Sequence, residues 1–568
     1  MKEVFVVQKA CYQEESQEME LRIAGVLPLE KAGRKLRMIA FFEGKNVSRR
    51  FSLDVNSYVA GDAVPFHIRQ KISLRDIFYS FQKEQAREGV LLSFAYCTVD
   101  GEWCYSEEKL TIPGDFFLKG KKKSSMGFRL FQGVSYVLAT LALPLWLLDG
   151  YFAQKGYKEL HTVHKESRGL KAMLYHADGI VQEISGHGYS LRQWKTNYFV
   201  RQYKKACHHV HKTEGVLFLS ERKVDEGGNL DLIYRALSQK EENKVTAVLD
   251  TRPIQKLPFS VIRRVAKQMA KARVIVLEDF YPQIHAVTLR SDSKLIQLWH
   301  ACGAFKMFGL SEIGRANHLL QDTKNHRNYS YAITSGKNMV PFYSEAFGLS
   351  DHQVLPLGVP RTDIFFQEES REQIKQTLYE KYPMLRGKRV LLFAPTFRGS
   401  GNQTAYYPTE RFPVNHLMEK LPEDTVLIIK NHPFVKDKWE WEEKYDNRIL
   451  DLTGKENINN ILFITDVLLT DYSSCIFEAA LLQITMLFYV FDLEEYMDAR
   501  DLYFDFAGFA PGVMIHNEEE LISAVTDAFD GKTADRETIQ HFCEYFLDAL
   551  DGHSTERVVH MIEELLCD

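Results

Sequence analysis

The sequence predicts an α/β protein in which a small β-domain and an apolar segment precede two doubly wound domains with parallel sheets. From about residue 165 onward, short apolar runs alternate with helical patterns, as is typical of parallel sheets. Residues 1–115 differ, because strand-like segments follow one another there at close spacing. Residues 130–148 differ again, because they contain no charged side chain. These observations divide the chain into domains at 1–115, 161–375 and 376–568, with a linker at 116–160.

Length and composition favour a folded, multidomain protein of the cytoplasm. The 568 residues exceed what one core can bury, and a general prior gives about three or four domains. Hydrophobic residues make up 45% and charged residues 26%, with a net charge of −5, so we expect no nucleic-acid partner. The eight cysteines have no metal-binding spacing, and the first residues lack the apolar core of a signal peptide. Both features are typical of a reducing compartment.

The first 115 residues predict a small β-sandwich. β-branched and aromatic residues dominate several short segments, and Asp100-Gly101 is a hairpin signal before the last of them. No catalytic cluster of side chains occurs among these segments, so we expect an accessory module that positions or binds an acceptor. The predicted strands are 4–7, 20–24, 36–42, 51–55, 63–72, 90–98 and 103–105.

The linker at 116–160 combines an apolar run with a basic cluster of Lys119, Lys121, Lys122 and Lys123. The uncharged run at 130–148 approaches the roughly 20 residues that a membrane-spanning helix needs. Pro144 would break a straight helix, so we expect instead a segment that lies at the membrane interface, with its lysines against anionic lipid. A buried helix between domains is the alternative.

Polar residues follow the predicted strands of the first doubly wound domain, at the edge where such sheets bind ligands. His300 directly follows the apolar run at 295–299, and Lys306 stands farther along. Histidine is suited to general-base work near neutral pH, although a purely structural histidine is the alternative. Arg361 and Asp363 stand in a tight turn after another run. The guanidinium is suited to a phosphate, and pairing with Asp363 is the alternative.

The second doubly wound domain has the same pattern, with the join between the two domains expected between 363 and 388. Thr396 and Arg398 follow the run at 390–394, and His432 follows the run at 426–429. The carboxyl ends of the strands in both domains should therefore line one deep cleft.

The turn after the run at 467–469 organises this domain. The turn consists of Thr470, Asp471, Tyr472, Ser473 and Ser474, and a helical pattern follows at once. We interpret it as a strand, a tight turn and a helix start. Free backbone N–H groups and the two serine hydroxyls make such a turn a seat for a phosphate or pyrophosphate, with an ordinary N-cap as the alternative. Glu478, in the first helical turn, is suited to ribose hydroxyls or to capping, and Arg557 lies in a second helix start at 551–557.

Six motifs now support a family resemblance. From about residue 216 to the end, the chain resembles the CDP-glycerol and CDP-ribitol phosphotransferases that build wall teichoic acid. The resemblance implies a GT-B-like pair of Rossmann domains, peripheral attachment to the cytoplasmic face of the membrane, and polyol-phosphate transfer from a CDP-alditol to a lipid-linked acceptor. The matching motifs are WHACGAFK (299–306), GVPRTD (358–363), APTFR (394–398), KNHP (430–433), TDYSS…FE (470–478) and DGHSTERV (551–558).

The resemblance also suggests roles for the site residues. His300 becomes the general base, and His432 with Arg398 stabilises charge on the transferred phosphoryl group. The turn at 470–474, aided by Arg557, holds the pyrophosphate, and Glu478 takes the cytidine ribose. No paired aspartates stand at metal-binding spacing, so we expect no metal or other cofactor.

Several alternatives remain open at this point. A GT-B glycosyltransferase with a nucleotide sugar shares the fold and the pyrophosphate seat. A non-catalytic membrane scaffold of the same pathway is a second alternative. Within the first motif, the tripeptide Trp299-His300-Ala301 resembles more closely the branch of the family that handles ribitol. The sequence does not separate a ribitol from a glycerol donor, or a primase from a polymerase.

Overall fold

The computed structural model describes residues 4–13, 18–33, 36–44, 48–73, 89–99, 101–107, 109–112, 191–240, 243–312, 326, 328–399, 404–499, 502–504, 506–533 and 536–567. The predicted apolar segment at 130–148 and the rest of the linker lie outside these residues, so membrane association stays a prediction. Within the described ranges, no helix combines the length and the apolar character that a bilayer crossing requires.

Strands β1 to β9 form two antiparallel sheets, which confirms the prediction that this part of the chain is a run of strands. One sheet has the order β1-β2-β6-β5, and the other has the order β4-β3-β7-β8 with β9 beside β7. Leu21 and Phe66 of the first sheet share one buried apolar cluster with Phe42 and Phe94 of the second. The elements are β1 (Val4–Gln13), β2 (Glu18–Pro28), α1 (Leu29–Ala32), β3 (Arg37–Glu43), β4 (Ser48–Leu53), β5 (Asn56–Ser57), β6 (Ala63–Ser73), β7 (Val90–Cys97), β8 (Trp103–Tyr105) and β9 (Leu110–Ile112).

The first parallel sheet follows, with six strands in the order β11-β10-β12-β13-β14-β15. Its strands are β10 (Val216–Ser220), β11 (Val245–Leu249), β12 (Val274–Leu277), β13 (Lys294–Gln297), β14 (Tyr331–Ile333) and β15 (Val354–Leu355). Its α-helices are α2 (Leu191–His209), α3 (Asn229–Ser238), α4 (Phe259–Lys271), α5 (Val340–Phe347) and α6 (Glu368–Lys381). The strands predicted at 295–299 and 354–357 end two residues earlier than expected.

The second parallel sheet also has six strands, in the order β18-β17-β16-β19-β20-β21. Its strands are β16 (Arg389–Ala394), β17 (Thr425–Ile429), β18 (Ile449–Asp451), β19 (Val467–Thr470), β20 (Thr485–Tyr489) and β21 (Val513–Ile515). The accompanying α-helices are α7 (Val414–Lys420), α8 (Ile458–Leu462), α9 (Ile476–Leu481), α10 (Leu493–Ala499), α11 (Phe506–Phe509), α12 (Glu518–Phe529), α13 (Arg536–Phe546) and α14 (Ser554–Cys567).

Short 3-10 helices connect many of these elements. They are Ile254–Lys256, Pro282–Ala286, Gly309–Glu312, Lys337–Met339, Asp351–Gln353, Pro360–Phe366, Pro383–Leu385, Thr409–Arg411 and Glu443–Tyr445. All strand pairs in both six-stranded sheets are parallel, which confirms the two predicted parallel sheets.

The strand orders locate the places where ligands bind in folds of this kind. In the first sheet, the chain passes from β10 to β11 on one side and then returns to β12 on the other side of β10, so the order reverses between β10 and β12. In the second sheet, the reversal lies between β16 and β19. The crevice at the carboxyl ends of such neighbouring strands is the usual binding site. In the first sheet, this position is occupied by Glu278 and Asp279, directly after β12.

The last helix, α14, returns from the second sheet to the first. Val558 and Ile562 lie in one buried cluster with Phe218, Val276 and Ile333 of the first sheet. Sequence alone places this helix with the domain at 376–568. Its apolar face instead covers strands that lie much earlier in the sequence.

Buried contacts fix the two antiparallel sheets against the first parallel sheet. Arg37 of β3 forms an ion pair with Glu345 of α5, and both side chains are buried. The Arg37 guanidinium also lies over the rings of Trp103 and Tyr503, at 4.8 and 4.7 Å. Such contacts hold the antiparallel sheets in one position relative to the parallel sheets.

Candidate active site

The carboxyl-terminal edges of the two parallel sheets meet at a buried ion pair. Arg361, which follows β15, places its Nη2 2.5 Å from Oε1 of Glu478 in α9. Burial alone would lower the pKa of Arg361, but the Glu478 carboxylate outweighs it, so the pKa is raised. At Gly303 (φ +61°), a Cβ atom would stand 2.3 Å from the ring of Phe477, so this approach of the two edges requires glycine.

His300 is held by an unusual backbone conformation at the exit of β13. Trp299 has φ +58°, a left-handed value that non-glycine residues adopt at a cost. Its N–H donates to Oε1 of Gln297 at 3.0 Å, and its C=O accepts from Nδ2 of Asn229 at 2.8 Å. The centroids of the Trp299 and His300 rings are 4.3 Å apart. These contacts turn His300 away from the strand direction and limit the movement of its ring.

Two acidic residues at the exit of β12 stand beside His300. Oδ1 of Asp279 lies 3.0 Å from Nδ1 of His300. The pKa of Glu278 is raised to about 7, first by burial and then by the charge of Asp279. A carboxyl group with such a pKa exchanges protons near neutral pH. The first sheet therefore offers a cluster of proton-handling groups at its edge.

The second sheet contributes a positively charged environment at the exit of β17. The pKa of His432 is lowered, first by burial and then by the charges of Lys306 and Lys430. Lys306 comes from the first sheet's exit segment, so both sheets contribute to this environment. Nδ1 of His432 accepts from the Phe434 N–H at 3.2 Å, which leaves Nε2 as the donor of a neutral ring. Such a group suits a negatively charged ligand.

Arg398 is paired with two carboxylates in the structure. Its guanidinium contacts both oxygens of Asp492, at 2.6 and 2.9 Å, and Oδ2 of Asp471 at 2.9 Å. Nη1 also donates to the Thr396 carbonyl at 2.7 Å. Burial alone would lower the pKa of Arg398, but the Asp471 and Asp492 carboxylates raise it. These two carboxylates neutralise the Arg398 charge, and the expected role of Arg398 toward the transferred phosphoryl group stays a prediction.

The turn at 470–474 has the predicted strand, turn and helix. The Thr470 hydroxyl donates to the Ala394 carbonyl at 2.7 Å, and Oδ1 of Asp471 accepts from the Thr396 N–H at 2.7 Å. These two hydrogen bonds therefore hold the turn against the end of the neighbouring strand β16 and the residues that follow it. Ser473 is half-buried and Ser474 is exposed. Only the two serines therefore present their side chains outward from this turn, which α9 follows at Ile476.

Asp363 and Arg557 also serve the fold at the start of α14. Oxygens of Asp363 accept from the N–H groups of Ser554 and Thr555, at 2.9 and 2.7 Å. Arg557 donates to both oxygens of Asp551 and to the Leu357 carbonyl. The Asp363 carboxylate thus lies at the positive end of this helix, and the expected anion seat there stays a prediction.

A match to a protein-family profile shows the family of this chain. The profile described as CDP-Glycerol:Poly(glycerophosphate) glycerophosphotransferase matches residues 201–564, a span that includes both parallel sheets. The chain belongs to this family. The resemblance seen in the six motifs is therefore confirmed.

Two curated relatives of this glycerophosphotransferase-family chain are similar over the same part. Teichoic acid poly(ribitol-phosphate) polymerase of Bacillus spizizenii is 38% identical over 352 residues, 62% of this chain and 56% of the relative. Teichoic acid ribitol-phosphate polymerase TarL of Staphylococcus aureus is 37% identical over 355 residues, 62% of each chain. The matched part thus spans 56 to 62% of the length of these relatives.

A solved structure supports the fold. The wall teichoic acid polymerase TagF aligns with a TM-score of 0.54 at 16% identity, over 70% of this chain and 97% of that one. At this identity the match shows a common fold of the family and nothing about the ligands of this chain.

The structure brings some predicted site residues of this family member together and separates others. His300, Arg361 and Glu478 meet through the Arg361 guanidinium, whose Nε donates to the His300 carbonyl at 3.2 Å. Lys306 and His432 influence each other across the two sheets. Thr396, Arg398, Thr470 and Asp471 form a supporting network beneath the turn at 470–474, and Asp363 with Arg557 supports α14.

Sequence reasoning missed Glu278, Asp279, Asn229 and Gln297. The signal was present for the two acidic residues, because Glu278-Asp279 directly follows the apolar run at 274–277. For Asn229 and Gln297 no local signal exists, since their roles depend on Trp299. Among the described residues, no group of three His, Cys, Asp or Glu side chains has metal-binding geometry.

Proposed function

We propose that this protein transfers a polyol phosphate from a CDP-alditol to a lipid-linked teichoic acid acceptor and releases CMP. The observation that carries the proposal is the Arg361–Glu478 ion pair, which joins the exit segments of both sheets. Ligands of doubly wound sheets bind at this edge. A donor bound to one sheet and an acceptor bound to the other meet there, and membership of the glycerophosphotransferase family supports this chemistry.

The reaction is a phosphoryl transfer in which one P–O bond replaces another. A terminal hydroxyl of the acceptor attacks the β-phosphorus of the CDP-alditol, and the bridging P–O bond of the pyrophosphate breaks. CMP leaves with the electron pair of that bond. His300 takes the proton of the attacking hydroxyl, because it is 44% exposed and lies at the edge of the first sheet.

Positive charge for the phosphates comes from the exit of β17 and from Lys306. Lys306, Lys430 and His432 share one electrostatic environment, and phosphoryl transfer depends mainly on charge stabilisation and positioning. The Nε2–H group of His432 donates to a phosphate oxygen in this proposal. Ser473 and Ser474 hold the pyrophosphate, and Glu478, oriented by Arg361, takes the cytidine ribose.

Ribitol is the proposed polyol. Both curated relatives are named for ribitol phosphate, and the tripeptide Trp299-His300-Ala301 favours the same branch of the family.

The proposal also covers the domains and their location. The two antiparallel sheets form a β-sandwich accessory domain, and the two parallel sheets form a GT-B-like pair of domains. The segment at 116–160 attaches the protein to the cytoplasmic face of the membrane.

CMP release tests the proposal. Wild-type protein is incubated with a lipid-linked glycerophosphate acceptor and with CDP-ribitol, CDP-glycerol or UDP- and GDP-hexoses in separate reactions. We expect CMP from CDP-ribitol, and loss of this activity in His300→Ala with the fold intact. CMP from CDP-glycerol alone would change the polyol. Sugar transfer from a nucleotide hexose, without CMP from either CDP-alditol, would replace the proposal with a glycosyltransferase.

A further inference from the structure

We propose that Asp279 is a positioning residue, which holds the His300 ring with its proton on Nδ1 and leaves Nε2 to accept the proton of the acceptor hydroxyl. The effect on turnover rests on the proposed function above. The state of the ring rests on geometry alone and is measured without substrate.

The contact between the two side chains is short, and the carboxylate is the more buried partner. Oδ1 of Asp279 lies 3.0 Å from Nδ1 of His300, and the two side chains are 15% and 44% exposed. This carboxylate oxygen is buried, and no hydrogen bond of standard geometry reaches it. A buried acceptor in this position favours the tautomer that offers it an N–H group. Such catalytic contacts often become aligned only when substrate binds.

Asp279 also contacts an arginine, but this second contact does not replace the one with His300. Nη1 of Arg222 also lies 3.0 Å from Oδ1 of Asp279, but the Arg222 side chain is 67% exposed. Solvent therefore weakens its interaction with the carboxylate. The Asp279 carboxylate oxygen therefore has His300 as its less exposed neighbour of the two.

One buried amide sets the spacing between Asp279 and His300. Gln297 is fully buried, and its Nε2 donates to the Asp279 carbonyl at 3.2 Å. Its Oε1 accepts from the Trp299 N–H at 3.0 Å. The same side chain therefore joins the exit of β12, which carries Asp279, to the exit of β13, which carries His300. A contact held from both ends in this way is typical of a preorganised site.

The other charged groups near the ring define what a titration would report. Glu278 precedes Asp279, and its charge acts on His300 as well. Arg361 approaches from the exit of β15 and donates to the His300 carbonyl, while Glu478 of the second sheet neutralises Arg361. Removal of the Asp279 charge therefore leaves the charge of Glu278 to act on the ring.

In the reaction, Asp279 stabilises the charge that His300 acquires. As the acceptor oxygen bonds to the β-phosphorus, its proton passes to Nε2 and the ring becomes an imidazolium with N–H on both nitrogens. The Nδ1–H group faces the Asp279 carboxylate, which stabilises this cation. The proton then passes to solvent after CMP has left, so the ring returns to its starting tautomer.

Kinetics of Asp279→Asn test the consequence for turnover. We expect kcat for CMP release to fall roughly 100-fold while KM for CDP-ribitol changes less than about threefold, because the amide removes the charge and fixes no tautomer. The acidic limb of the pH–rate profile should move to lower pH. Asp279→Glu should recover part of kcat. Asp250→Asn is the matched control, since Asp250 follows β11 and pairs with Arg252 at 21% exposure.

NMR of protein labelled with ¹⁵N-histidine tests the ring directly, with His300→Gln to assign the signal. We expect the Nδ1–H tautomer of neutral His300 in the wild type and in Asp250→Asn, and its loss in Asp279→Asn. An unchanged tautomer in a folded Asp279→Asn protein overturns the proposal, whether or not the enzyme is active. Inactivity of the wild type with every CDP-alditol rejects the proposed function instead. An unchanged kcat with an altered tautomer overturns the positioning role in turnover.

Discussion

Arg361 and Glu478 form one buried ion pair that crosses from the first parallel sheet to the second. The side chains are 18% and 6% exposed, so both charges are largely removed from water. Removal of one partner from such a pair leaves an uncompensated buried charge. The stability of the closed arrangement of the two sheets therefore depends on both residues together.

This pairing predicts a strong coupling between the two residues. Glu478→Ala should reduce the free energy of unfolding by about 3–5 kcal/mol, because Arg361 then lies buried without a carboxylate. The double variant Arg361→Met with Glu478→Ala should recover part of this loss in denaturant unfolding. Arg389→Met serves as a control, because its pair with Asp424 is 35% and 54% exposed and should contribute little to stability. Additive effects of Arg361→Met and Glu478→Ala would contradict the coupling.

The Arg398 network makes a prediction that separates a structural from a binding role. Arg398→Lys should lower the thermal unfolding midpoint, because a lysine ammonium does not replace the forked contacts with Asp471 and Asp492. Affinity for CDP-ribitol, measured by calorimetry at a temperature where the variant is folded, should fall only slightly. Unchanged stability with a large loss of donor affinity would support the phosphate-binding role expected from the sequence.

Glu278 predicts a particular dependence of stability on pH. Burial and the Asp279 charge raise the pKa of Glu278 to about 7 in the folded protein, above the ordinary value of 4.5. Between pH 4.5 and 7 the unfolded chain has lost this proton while the folded protein retains it, so stability falls as pH rises through this window. The slope is about 1.4 kcal/mol per pH unit at most. Denaturant unfolding of Glu278→Gln at pH 5 and pH 7 should lack this contribution, and identical pH dependence in both proteins would reject it.

The start of α14 predicts a role for Asp363 in stability. Asp363→Asn should cost about 1–2 kcal/mol, because it removes a carboxylate that accepts from two N–H groups at the positive end of a helix. Hydrogen exchange should increase at residues 554–558 and change little in α12. Glu564→Gln on the same helix is a control, since that side chain is 69% exposed. Unchanged exchange at the helix start would contradict the capping role.

Lys306 and His432 provide a test of the positive environment between the sheets. In Lys306→Met the pKa of His432 should rise, since one of the charges that lowers it is gone, but it should stay below the ordinary value because burial is the larger cause. NMR titration of His432 measures this shift, and CDP-ribitol affinity should fall in the same variant. Lys444→Met, 56% exposed, should change neither. If the pKa of His432 were the same in the wild type and in Lys306→Met, the two residues would be too far apart to bind the same phosphate.

The sequence predicted the fold well because its signals are local. Apolar runs mark β16 and β19, and the turn after β19 ends where α9 begins at Ile476, as expected. Positions at strand exits then follow from topology, since the carboxyl ends of parallel strands share one edge. For this reason His300 and His432 could be placed at the edges of the two sheets from sequence alone.

Pairing between side chains could not be predicted in the same way. Arg398 contacts Asp492, 94 residues later, and Asp363 contacts Ser554, 191 residues later. Nothing local distinguishes an arginine that awaits a phosphate from one that a distant carboxylate already neutralises. The positive φ of Trp299 is likewise invisible in the sequence, because tryptophan carries no preference for it.

The return of α14 to the first sheet also affects how this protein folds during its synthesis. Ser554 is made 191 residues after Asp363, its partner beside the first sheet. At roughly 5–20 residues per second, translation of that interval takes about 10–40 s. During this time the apolar surface around Phe218 and Ile333 has emerged without the helix that later covers it. Rare codons or pauses within this stretch should therefore increase aggregation of the nascent chain, even though the finished protein is unchanged.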